Sequence, residues 1–78
     1  MPTVLRIGAY RFFFYSNEGN EPPHIHIHRS GGLAKFWLEP VNLAGSTKFS
    51  SVELSKLRKL VIKNQQIFLE AWNEYFTN

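Results

Sequence analysis

Over the first half of the chain apolar residues alternate with polar ones, and over the second half they recur every three or four positions. The segments Thr3 to Ile7, Tyr10 to Ser16, His24 to Arg29 and Leu33 to Glu39 are rich in Val, Ile, Phe, Tyr and Trp, which suit a pleated, half-buried surface. Gly8-Ala9, Asn17 to Pro23 and Ser30-Gly31-Gly32 separate them. Connections this short cannot cross over to a parallel neighbour, so a four-stranded antiparallel meander is expected. On its second strand Tyr10, Phe12 and Phe14 alternate with Arg11, Phe13 and Tyr15, which puts aromatic rings on both faces.

From residue 50 the period is helical. Ser50-Ser51-Val52-Glu53 has the S-x-x-E form of a capping box, with Phe49 and Leu54 as its hydrophobic staple. Leu54, Leu57, Val61, Phe68, Trp72 and Tyr75 then keep to one stripe, interrupted only by the polar Asn64. No Pro or Gly breaks the run, which predicts one helix to Phe76, about 26 residues and ~39 Å long at 1.5 Å per residue. The expected fold is α+β: a four-stranded antiparallel sheet packed against one long C-terminal helix. It forms a single domain over residues 1–78, with a sheet half at 1–40 and a helix half at 50–76. Such a helix would overhang a 9.1 kDa core. A protein partner, either a second copy or a different chain, is therefore expected on Phe68, Trp72, Tyr75 and Phe76.

Composition narrows the chemistry. Without cysteine there is no disulfide, thiolate metal site or Cys nucleophile, and a reducing cytoplasm is the expected location. Aspartate is also absent, which excludes an Asp-based catalytic triad, EF-hand loops and Asp-based phosphoryl transfer. The longest early apolar run is Phe12 to Tyr15, with Arg6 and Arg11 nearby, so neither a signal peptide nor a membrane partner is expected.

All three histidines lie in Glu21-Pro22-Pro23-His24-Ile25-His26-Ile27-His28-Arg29. On a strand, Ile25 and Ile27 point to one face and His24, His26 and His28 to the other. A two-residue loop within Ser30 to Gly32 carries the histidine face across to Lys35, Trp37 and Glu39, and leaves Ala34, Phe36 and Leu38 with the isoleucines. That face has three possible uses. The rings are half-exposed strand residues beside Trp37; or His24 and His26 aim two nitrogens at an ion such as zinc, with Glu39 or His28 as a further ligand. Alternatively, His24 and His26 exchange protons with an RNA phosphodiester while Lys35, Arg29 or Arg11 stabilises the developing charge. The RNA's own 2′-hydroxyl is then the nucleophile and no cofactor is required. The His-Ile-His-Ile-His run is also similar to the histidine triad of nucleotide hydrolases, but the 23 residues before it are too few to build their nucleotide pocket.

The net charge of +3 is unevenly spread. Lys48, Lys56, Arg58, Lys59 and Lys63 against Glu53 give residues 48–63 a sum of +4, whereas Glu70 and Glu74 give residues 64–78 a sum of −2. Lys56, Lys59 and Lys63 line one side of the helix, either as a phosphate-tracking stripe for RNA or as a solvated face.

Several segments carry a family resemblance: Met1-Pro2-Thr3-Val4, Tyr10 to Glu18, Pro22-Pro23-His24-Ile25-His26, Ala34 to Pro40, and Glu70 to Phe76. Over nearly the whole chain the sequence resembles the small bacterial family known as domain of unknown function 4160. The resemblance implies no established activity. It does imply a neighbouring gene for another short protein, hence a two-protein module of toxin-antitoxin type. It also implies that His24 and His26, rather than His28, are the shared pair. The combined expectation is a module component acting as a histidine-dependent ribonuclease, with a partner-binding or a metal-binding protein as alternatives.

Overall fold

A computed structural model describes residues 3–16 and 18–76; Met1, Pro2 and Asn17, which belong to segments quoted above, lie outside the described residues, as do Thr77 and Asn78. The elements are β1 Thr3–Ile7, β2 Tyr10–Phe13, β3 His24–Arg29, β4 Gly32–Leu38, β5 Val41–Thr47, α1 Ser51–Lys63 and α2 Gln65–Phe76. The strands form one antiparallel meander in chain order.

Two parts of the expected fold are corrected. The sheet has five strands rather than four, because the Glu39-Pro40 turn sends the chain back along β4, pairing Leu38 with Val41 and Phe36 with Leu43. Backbone pairing at an open edge forms this strand, and only its Val41 is buried, so it carries no alternating pattern. The helical half is two helices rather than one. Asn64, at φ −107° and ψ 16°, leaves the helical conformation; its backbone N–H and its Nδ2 both donate to the Leu60 carbonyl, at 3.1 and 2.9 Å. A side chain able to compete for the last carbonyls thus ends α1 without Pro or Gly.

The expected overhang is not found, because α2 turns Phe68 and Trp72 into the core. Phe68 lies 5.3 Å from Phe12, ring to ring, and Trp72 meets Phe14 edge-on at 5.3 Å. Both side chains belong to the chain's own core, with Ile25, Ile27, Phe36, Leu38, Leu57 and Val61. Of the four residues expected to hold a partner, only Tyr75 is exposed, and Phe76 is half-buried against Trp72.

The start of α1 is capped by Ser50, whose Oγ accepts from the Glu53 N–H at 3.1 Å. The Glu53 carboxylate, however, is turned to the sheet: Tyr10 Oη donates to it at 2.8 Å, and Arg29 donates through Nε at 2.8 Å and Nη2 at 2.7 Å. The Arg29 guanidinium first, and the Tyr10 hydroxyl second, hold this carboxyl down at about 2, below its usual 4.5. Because the folded state binds this proton less readily than the unfolded chain, the contribution is complete above 4.5 and disappears as pH falls towards about 2. Glu53→Gln is therefore expected to melt below the wild type at neutral pH, with the two melting curves converging on acidification. A gap that stays constant down to acid pH would show that the carboxylate charge is not what binds α1 to β2 and β3.

Candidate metal centre

The site begins with the alternation of β3. Ser30-Gly31 is a two-residue turn in which Gly31 takes φ +79°, a region that favours glycine, and it fixes the pairing of Arg29 with Gly32. The same register sets His26 opposite Lys35 and His24 opposite Trp37, while Ile25 and Ile27 enter the core. The two histidines are not half-exposed, however. His24 is 0% and His26 6% accessible, because the β2–β3 connection folds back over them. His26 is stacked on Phe13 and meets Tyr15 edge-on, and His24 packs between Trp37 and Trp72.

That connection brings Glu18 onto the rings. Its Oε1 is 2.9 Å from His24 Nε2 and 3.0 Å from His26 Nε2, and its Oε2 is 3.2 Å from His26 Nε2. One ligand atom from each residue lies within 4.8 Å of the other two. His24 Nδ1 is 2.9 Å from the Pro22 carbonyl, which can only accept, so Nδ1 carries a proton. Nε2 then either donates to the Glu18 carboxylate from a doubly protonated ring or, in the neutral ring, has its lone pair free for an ion held jointly with that carboxylate. The opposing nitrogen of a metal-bound histidine is usually held in this way.

The surroundings bias the protons of Glu18 and His26. Burial pushes the Glu18 carboxyl up, but the hydrogen bonds and the charges of His24 and His26 together outweigh it and the group ends below its usual range. For His26 burial dominates, and its ring is held below the ordinary histidine value despite the nearby Glu18 carboxylate. A carboxylate beside a neutral imidazole is the pairing that a divalent ion requires. His26 Nδ1 is buried without a hydrogen-bond partner among the described residues. A recess of about 160 Å³ adjoins His26 over β4 and β5, lined also by Lys35, Gly45 and Thr47.

The remaining candidate residues are dispersed. Lys35 stands beside the cluster, its Nζ 2.9 Å from Glu21 Oε1 and over the Trp37 ring. Arg29 belongs to the opposite face, where Glu53 and the carbonyls of Ser30 and Lys48 occupy its donors. Arg11 lies over Phe13 and donates to Thr3 Oγ1, next to the exposed His28. Lys56 sits over Tyr10 on α1, and Lys59 and Lys63 are exposed on the same helix, across the sheet from the imidazoles. Glu39 is exposed in the β4–β5 turn and is not one of the three clustered groups.

Strand parity could not find Glu18, because it lies in a loop. Its place is set by tertiary packing that the sequence does not display: a Cβ at the neighbouring Gly19 would stand 2.9 Å from Phe76 Cδ1, so glycine lets this loop lie close against α2.

Fold and cluster together define an α+β domain in which two histidines and one carboxylate converge beneath a returning loop. The chain belongs to the family described as Domain of unknown function (DUF4160), which matches residues 9–73 and so takes in Glu18, His24 and His26. No curated protein and no solved structure matches it. No helix among the described residues is long and apolar enough to cross a membrane.

Proposed function

We propose that this protein binds a divalent first-row metal ion, zinc in the first place, through Nε2 of His24, Nε2 of His26 and the Glu18 carboxylate. The observation that carries the proposal is the approach of both Nε2 atoms to one carboxylate oxygen while His24 Nδ1 is held by the Pro22 carbonyl. Donors about 2.0–2.1 Å from one ion, at the angles of octahedral or tetrahedral coordination, stand about 2.9–3.4 Å apart. The contacts of 2.9 and 3.0 Å lie at the octahedral end of that spacing, and a tetrahedral ion would part the groups by a few tenths of an ångström. Three protein ligands leave a position for water or another small ligand, as in sites that exchange ligands rather than closed structural ones. With no cysteine in the chain, we place this activity in the cytoplasm.

Metal binding is favoured over RNA cleavage because Arg29 is occupied elsewhere and His24 is sealed from solvent. Zinc added to metal-free protein in a calorimeter is expected to bind at one ion per chain. Glu18→Gln should weaken binding by about 100-fold or more, given that even indirect partners of ligands contribute 10–100-fold. His28→Ala and Glu39→Gln should leave it unchanged. A folded wild-type protein that takes up no zinc, or that loses it equally with His28→Ala, would rule the site out.

A further inference from the structure

We propose that the free edge of β5 receives an acidic, extended peptide segment of a partner protein as a further strand. One apolar side chain of that segment seats between Leu43 and Leu54, and its carboxylates meet Arg58 and Lys59. β5 is the last strand of the meander, so one side of its backbone has no neighbouring strand. Sheet edges are normally blunted by charged residues, proline or β-bulges. Arg6 is such a charge on β1, whereas Val41–Thr47 contains neither a charge nor a proline and has one bulge, at Ala44 opposite the Lys35/Phe36 step, which leaves Val41 to Leu43 regular. Beside this edge is a notch of about 150 Å³ lined by Phe36, Leu43, Leu54, Ser55 and Arg58. Leu43 is 42% exposed, and Ile62, one turn beyond Arg58, is 50% exposed, which continues the apolar strip along α1.

Charge selects the occupant. Lys48, Arg58 and Lys59 have no carboxylate within 4.0 Å among the described residues, and Glu53 is already taken up by Arg29. A second copy docked edge to edge would bring two such cationic helices together without compensation. An extended acidic segment instead places alternate side chains towards α1, one apolar in the notch and its neighbours of that face beside Arg58 and Lys59.

The test uses fluorescein-labelled synthetic peptides of about eight residues, the length of an ordinary strand, in which one face carries a valine flanked by glutamates and the alternate positions are threonine. Fluorescence anisotropy is expected to give saturable binding with a dissociation constant on the order of 10–100 μM. Exchange of glutamate for lysine should weaken it about tenfold or more, and added salt should weaken it as well. Leu43→Glu and Arg58→Glu should each reduce affinity about tenfold, with circular dichroism and zinc titration unchanged. N-methylation of alternate peptide bonds should abolish binding, since it removes the edge hydrogen bonds. No saturation up to about 1 mM would overturn the proposal. So would equal affinity for the lysine peptide, or a dimer in sedimentation equilibrium that Leu43→Glu dissociates.

Discussion

Saturating zinc is expected to raise the melting temperature of the metal-free protein by about 10 to 20 °C, and EDTA to reverse the rise. An ion at a hundred times its dissociation constant stabilises the folded state by about 2.7 kcal/mol, and in a domain this small each kcal/mol moves the midpoint by about 4–8 °C. The effect is large because folding creates the site: His24 and His26 come from β3, and Glu18 is delivered by the preceding connection. In the unfolded chain the three residues lie within nine positions of one another but have no fixed geometry. Glu18→Gln should therefore melt at one temperature with or without zinc. A shift that survives in Glu18→Gln would mean that the ion is held elsewhere.

Phe68→Ala is expected to destabilise the protein by about 3–5 kcal/mol in urea denaturation, a large share of the 5–15 kcal/mol typical of a whole domain. The ring is fully buried and stacked on Phe12, so its removal strips apolar contact and leaves a cavity between α2 and the sheet. Tyr75→Ala, three residues before the end of the chain, should change stability by less than about 1 kcal/mol because that ring is 44% exposed. A Phe68→Ala protein of undiminished stability but altered sedimentation would return the residue to the partner surface suggested by the helical stripe.

That stripe illustrates what periodicity can and cannot supply. It identifies the residues of α1 and α2 that turn inward but assigns the later ones to a partner, because nothing in a three-and-four repeat says that the Asn64 side chain will take the Leu60 carbonyl and end α1. Phe68 and Trp72 close the core instead of overhanging it. The face of β3 was more legible. Alternating Ile and His, with a glycine able to form a two-residue turn, was enough to place Lys35 and Trp37 beside the imidazoles. β5 escaped because an edge strand solvated on most of its surface has no need of alternation. Glu18 escaped for a different reason: its position depends on a loop path set by tertiary contacts, whereas Glu39, which shares the parity of the histidines, lies one residue beyond the end of β4.

The contact between Gly19 and Phe76 ties this loop to the far terminus of the fold. Phe76 acts as a backstop: the segment that delivers the carboxylate leans on the final ring of α2, and Trp72, one turn earlier, presses on His24. The last turn of α2 thus forms part of the wall behind the cluster, although it lies nearly sixty positions from Glu18.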